Sequence, residues 1–273
     1  MNKKRNYYKI IKIKDYIYTL QEDITAIHPI YKNSPLNLYL IVGTTSVLLI
    51  DTGCGIESPI PYLRKLIGKK DLIVVNSHTH WDHILGNHFF KQVHVHKNGV
   101  PIISIPYEVS FLRDSPSDLI ENYKKYNFTI PAAQSIIGME ENHKFQLGNI
   151  SLRTLHTPGH SSDSICLLTN KDELFIGDVA YYGEQFLPER ENFSNVLDTL
   201  SRLISLVEKR GNIEIYPSHD GLPCDKTLLT DLYDGIKNID QIWEQKRINP
   251  FFSAYELEDD KFKYYVKKNY NNH

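Results

Sequence analysis

Cysteine is scarce in this 273-residue chain, with only Cys54, Cys166 and Cys224. An odd, scattered set argues against a disulfide framework and fits a reducing compartment, so a cytoplasmic location is expected. Long apolar runs are missing too. No stretch reaches the ~18 apolar residues of a membrane helix, so no membrane span is expected. The basic start, with Lys3, Lys4 and Arg5, runs into Lys9, Lys12 and Lys14 rather than an uncharged apolar core, which argues against a secretion signal. Excess charge of one sign is also lacking. Lys and Arg number 31 against 33 Asp and Glu, a net charge of −2, which gives no field to hold nucleic acid. Internal repeats, low-complexity tracts and obvious linkers are absent. What is there is an ordinary globular composition, 41% hydrophobic and 23% charged, ample for one domain over residues 1–273 with a large core. A small molecule is the expected partner, and nothing in the sequence specifies an oligomeric state.

The chain opens with short β-favourable runs at Tyr7 to Ile13, Tyr16 to Thr19 and Ile24 to His28. Asn37 to Val42 and Ser46 to Ile50 flank Gly43-Thr44-Thr45 as a hairpin. After the loop Asp51-Thr52-Gly53, Ser58-Pro59 starts a helix whose Ile60, Leu63 and Ile67 share a face. Leu72 to Val75 reads as a strand buried on both faces, and Gln92 to His96 as another. Residues 98–140 are less regular, with short helices expected around Val109 and from Ser117 to Tyr126. Strands resume at Phe145 to Leu147, Ile150 to His156, Ser164 to Leu168 and Glu173 to Ile176. A helix from Asn192 to Arg210 carries Val196, Leu200, Leu203 and Val207 on one side and stops at Gly211. Ile213 to Tyr216 is the last clear strand, and a helical tail is expected from about Asp225 towards Lys246.

The segment His78-Thr79-His80-Trp81-Asp82-His83 follows a buried strand, where sheets expose functional loops. Histidines at i and i+2 in extended backbone point the same way and can share one cation. Asp82 and His83 project differently and suit a second. His160 follows the turn Thr157-Pro158-Gly159, Asp178 follows the apolar Leu174 to Gly177, and His219 follows Ile213 to Tyr216 through Pro217-Ser218. One cation would take His78, His80 and His160, the other Asp82, His83 and His219, with Asp178 bridging. Imidazole and carboxylate donors suit Zn²⁺, and also Fe, Mn or Co, so residue type does not choose the metal. Taken singly, most histidines are structural, and His28, His88, His94, His96, His143 and His156 are read that way.

These residues resemble the metallo-β-lactamase-fold hydrolases. The family's HxHxDH signature stands without substitution at 78–83, and its later His, Asp and His match His160, Asp178 and His219 in order. The resemblance runs from about residue 37 to 220. It implies an α/β fold built as a four-layer αββα sandwich, two divalent metal ions in a cleft at one edge of the facing sheets, and Asp51 supporting the ligands from behind. It also implies a hydroxide shared by the two metals as the nucleophile on an ester-type bond, with Asp82 as proton shuttle. Tyr181, three residues after Asp178, matches the offset of a tyrosine that stabilises the oxyanion in some lactone-hydrolysing members.

The substrate is less legible, because this family is chemically broad. The β-lactamases proper use cysteine where Asp178 stands. Nuclease and flavoprotein members need additional domains, and the stretch after His219 is short for the glutathione-binding domain of glyoxalase II. The stretch from Ser164 through Gly183 to Pro188, continuing over Val196 to Glu208, resembles members that cleave acyl-coenzyme A thioesters. An acyl thioester is therefore the expected substrate. A lactone of the acyl-homoserine type comes next, then a phosphodiester or phosphorylcholine ester. A metal-binding protein without hydrolytic activity is the reading outside catalysis. Residues 98–140 would cap the cleft, with Ile102, Ile103, Phe111 and Leu112 lining an acyl pocket.

Overall fold

Residues 7–269 are described by a computed structural model, so Lys3, Lys4 and Arg5 lie outside it. The chain first lays down β1 (Lys9–Lys14), β2 (Ile17–Glu22), β3 (Leu36–Val42) and β4 (Ser46–Ile50) as antiparallel neighbours. Helix α1 (Ile60–Ile67) crosses over to β5 (Asp71–Val75), parallel to β4, and the short α2 (Trp81–Ile84) precedes β6 (Val93–His96). Residues 98–140 hold the turns α3 (Val100–Ile103) and α4 (Glu121–Lys124), the small hairpin β7 (Tyr107–Glu108) and β8 (Thr129–Ile130), and then β9 (Ile136–Met139). Strand β9 completes a seven-stranded sheet ordered β1-β2-β3-β4-β5-β6-β9.

The second sheet is built from β10 (Lys144–Gln146), β11 (Ser151–His156), β12 (Ile165–Thr169) and β13 (Glu173–Gly177). Strand β14 (Gly183–Leu187) leaves it, α5 (Phe193–Arg210) covers it, and β15 (Glu214–Pro217) returns parallel to β13 as its edge. Helix α6 (Thr227–Lys237) follows, then β16 (Arg247–Asn249), β17 (Ala254–Glu258) and β18 (Phe262–Lys267).

The period-two alternation of the strands assigns the layers. Tyr39 and Ile41 of β3 and Leu48 and Ile50 of β4 meet Ile165, Leu167, Phe175 and Tyr216 of the second sheet in one buried cluster. The alternate residues Leu36, Leu38, Leu40, Val47 and Leu49 pack outward under α1 and residues of the 98–140 segment. On the opposite side Cys166, Leu168, Leu174 and Ile176 pack beneath α5 and α6. Helix, sheet, sheet and helix are thus the four expected layers.

Three expectations are corrected. Ile24 to His28 is not a strand but a 3₁₀ turn over Ile24–Ala26, because Asp23 accepts the Thr25 N–H at 3.1 Å and caps it. The helical tail ends at Lys237 rather than near Lys246. Beyond it, aromatic and β-branched residues alternating over Ala254–Glu258 and Phe262–Lys267 form strands instead. These join β14 in a separate four-stranded sheet, ordered β14-β18-β17-β16. Finally, the 98–140 segment mostly fills the outer core of the first sheet through Ile103, Leu112, Ile120 and Tyr123. Ile103 and Leu112 are buried there, and Phe111 alone of the four expected pocket residues reaches the cavity.

Candidate metal centre

Strand β5 ends at Val75, and extended backbone carries His78 and His80 to the start of α2, whose first turn presents Asp82 and His83. The second sheet answers from three of its ends: His160 after β11, Asp178 directly after β13, and His219 after β15. A bridge between Leu36 and His219, with Asn37 N–H donating to the Ser218 carbonyl at 2.7 Å, ties the two sheets at this edge.

The donor atoms lie in three overlapping groups, His78, His80 and His160 at one end, Asp82, His83 and His219 at the other, and His78, His83 and Asp178 between, the atoms of each within 4.8 Å of one another. His80 turns its Nδ1 inward, 3.1 Å from His78 Nε2 and 2.8 Å from His160 Nε2. Asp178 stands between the sets. Its Oδ2 is 3.7 Å from His160 Nε2 and 3.3 Å from His219 Nε2, and its Oδ1 is 3.3 Å from His83 Nε2. His83 Nε2 and Asp178 Oδ1 are nevertheless buried without a hydrogen bond. Leaving two such atoms unpaired is costly, and a cation between them satisfies both. The donor set therefore fits a pair of divalent cations.

Partners behind the imidazoles set their tautomers. His83 Nδ1 faces Asp51 Oδ2 at 2.9 Å, His160 Nδ1 faces the Phe186 carbonyl at 2.9 Å, and His219 Nδ1 faces the Asn33 carbonyl at 2.8 Å. Each partner is an acceptor, so Nδ1 carries the proton and Nε2 keeps its lone pair for the site. Asp51 is itself held by Ser77, whose N–H and hydroxyl each donate to it at 2.7 Å. Burial, reinforced for His160 by neighbouring His80, brings His80 and His160 down to about 4, so both are neutral near pH 7, as coordination requires. His83 goes the other way. Burial alone would lower it, but Asp178, Asp82 and Asp51 outweigh burial and raise it. Asp178 is held well below the carboxylate range because His219, His83 and His78 overcome its burial.

Tyr181 is buried with its ring centroid 4.9 Å from that of His219. Burial, then Asp178 and Asp82, raise its pKa, so the phenol keeps its proton. His94 faces the Val74 carbonyl at 3.1 Å, and His96 stacks on His156 at 3.9 Å between centroids, both outside these donor groups. A cavity of about 1030 Å³ opens on His80, Asp82, His160, Asp178 and His219. Tyr31, Trp81, Phe111, Phe186, Phe251, Phe252 and Tyr265 give it an aromatic wall. Of these residues, Phe111 alone figures in the sequence reading of a pocket. Asn33 and the wall residues after 245 come from irregular or misread segments, where no local pattern marks them.

Residues 33–219 match the metallo-beta-lactamase superfamily. Human acyl-coenzyme A thioesterase MBLAC2 is 32% identical over 207 residues, covering 67% of this chain and 72% of the relative. The chicken protein of the same name is also 32% identical, over 200 residues and the same shares. A metallo-beta-lactamase from Pontibacter korlensis superposes with a TM-score of 0.58 at 16% identity, over 85% of this chain and 99% of the other, a likeness of fold.

Proposed function

From the chain's membership of the metallo-beta-lactamase superfamily, to which it belongs as an enzyme, we propose that it hydrolyses acyl thioesters of the acyl-coenzyme A type. The observation that carries this reading is the junction of an aromatic-walled cavity of about 1030 Å³ with the His and Asp cluster. That space accommodates an apolar acyl chain while its carbonyl end reaches the polar floor. The relatives named as acyl-coenzyme A thioesterases support the same substrate class.

In this reading His78, His80 and His160 would hold one divalent cation and Asp82, His83 and His219 the other, with Asp178 available to both. Zinc suits these donors and is the metal to load first, although the same residue types also accept Fe, Mn or Co. Bound there, the pair supplies Lewis acidity and lowers the pKa of water to near neutrality. The chain's own residues do the rest. Asp51 keeps the His83 imidazole in place, and the wall holds the acyl chain and excludes water. Tyr181 donates its phenolic hydrogen to the carbonyl oxygen as the acyl carbon becomes tetrahedral. Asp82, whose carboxylate faces the cavity, carries the proton from the attacking water to the departing sulfur as the C–S bond breaks. Tyr181 would serve the opening of a lactone equally, which makes an acyl-homoserine lactone the second substrate to assay.

No helix among the described residues is long and apolar enough to cross a membrane. Cys54, Cys166 and Cys224 are all free, which favours a reducing, cytoplasmic setting. Thiol release from a long-chain acyl-coenzyme A by protein loaded with zinc, run beside His80→Ala, tests the proposal. Turnover lost in the variant supports it. No turnover from wild-type protein holding two metal ions per chain rejects the thioester.

A further inference from the structure

Asn33 lies in the irregular stretch between β2 and β3 and touches the site in two ways. Its backbone carbonyl accepts from His219 Nδ1 at 2.8 Å, and its side-chain amide reaches Tyr181 and β14. The orientation of that amide is not free. Oδ1 accepts the Glu184 N–H at 3.1 Å, and Nδ2 donates to the Glu184 carbonyl at 2.7 Å. Flipping the amide would set donor against donor and acceptor against acceptor, so the backbone of Glu184 fixes it. The second Nδ2 hydrogen therefore points at Tyr181 Oη, 3.2 Å away, and the phenol must accept there. A phenol has one proton to give, and this contact does not use it. Among the described residues Tyr181 Oη makes no other hydrogen bond, and the side chain lines the cavity beside Asp82, Asp178 and His219.

We propose that Asn33 is a positioning residue that, by donating to the Tyr181 oxygen, turns the phenolic hydrogen into the cavity towards the oxygen that gains charge when the acyl carbon is attacked. The proposal rests on the hydrolytic reading above, though not on the leaving group being a thiol. It sets Asn33→Asp and Asn33→Ala apart. Aspartate keeps the shape and the acceptor for the Glu184 N–H, but puts an acceptor where Nδ2 faces both Tyr181 Oη and the Glu184 carbonyl, so the phenol turns its hydrogen away from substrate. Alanine loses every side-chain contact yet leaves the phenol free to rotate. Because the new oxygen also opposes the Glu184 carbonyl, a loss in Asn33→Asp counts as positioning only where it vanishes in the Tyr181→Phe background.

The test uses zinc-loaded protein as wild type, Asn33→Asp, Asn33→Ala, Tyr181→Phe and the double variant Asn33→Asp with Tyr181→Phe, all checked for metal content. It reads kcat and KM for a long-chain acyl-coenzyme A and a p-nitrophenyl ester, and calorimetric affinity for octanoate, whose carboxylate can accept the same hydrogen. Asn33→Asp and Tyr181→Phe should each lower kcat by about 10²-fold, the loss typical of one oxyanion donor, with KM moved by less than about threefold. The double variant should be no slower than either, and Asn33→Ala should lose less than Asn33→Asp. Octanoate should bind more weakly to Asn33→Asp and Tyr181→Phe alike. An alanine variant at least as slow as the aspartate one, or losses that multiply in the double variant, overturns the proposal. If wild type spares the thioester but cleaves the aryl ester, the substrate reading falls and the Asn33 comparison is decided on the ester. If it cleaves neither, the octanoate affinities decide, and equal values across the set overturn the role of Asn33.

Discussion

Glu22 sits fully buried under the loop that carries Asp51, with Oε2 accepting the Cys54 N–H at 2.9 Å and Oε1 unpartnered. Burial pushes its pKa from 4.5 up to about 7. The folded chain thus keeps this proton to higher pH than the unfolded chain. Stability falls as pH rises between those two values and is flat outside them, by about 3 kcal/mol in all. Glu22→Gln has no proton to lose there. The melting temperature of wild type minus that of the variant should therefore decline from pH 5 to 7.5, and parallel curves would refute the account. Asp51 acts through His83, which groups with Asp82 and His219 and also with His78 and Asp178, but not with His80 and His160. Asp51→Asn should weaken the second metal by about 10–100-fold and spare the first, as read by metal titration; equal retention of both would remove its supporting role. The seven residues proposed as ligands could be picked out because strong donors crowd one hexapeptide and recur at strand ends. Asn33 was not, since its value lies in two backbone atoms of Glu184, 151 residues away, that orient one amide.

The C-terminal sheet supplies much of the cavity lining, and its last three strands lie beyond the helical stretch that was expected to run towards Lys246. Leu228, Leu229, Leu232 and Ile236 do keep helical spacing, and α6 forms on them, but Asn238 ends it. The two-residue alternation of Phe262, Tyr264 and Val266 is the signal for β18, which pairs in parallel with β14. That pairing brings the turn before β17 to the cavity. Phe252 contacts Tyr265 and Phe186 at 4.7 and 5.0 Å between centroids and lies 5.9 Å from Tyr31. Removing a buried phenyl from an apolar contact costs about 1.5–3 kcal/mol. Phe252→Ala should accordingly raise KM for a sixteen-carbon acyl-coenzyme A by roughly 10-fold or more, while a four-carbon chain too short to reach the wall changes little. Equal effects on both chain lengths would detach the wall from acyl recognition.

At the scale of the molecule the two sheets each own part of the cluster. His78, His80, Asp82 and His83 come from the seven-stranded sheet, and His160, Asp178 and His219 from the five-stranded one. The alternation within single strands was readable, but the facing of two sheets depends on contacts between strands far apart in sequence, and only the family resemblance carried it. On the proposed division of ligands, cations at this edge would cross-link the two sheets. Without them the interface keeps its apolar cluster and the Asn37 to Ser218 bond, but must bury an unpaired His83 Nε2 beside Asp178 Oδ1. A ligand at a thousand times its dissociation constant adds about 4 kcal/mol to the folded state. For a chain of this size that is a rise in melting temperature on the order of 10 °C. Protein stripped by a chelator should therefore melt about that much lower, in one transition because both sheets share the central cluster, and excess zinc should restore it. His80→Ala, with one group broken, should recover only part of the shift. Identical melting of stripped and loaded wild type would mean that cations do not join the sheets at this edge. Two separate transitions would mean instead that the halves fold as independent units.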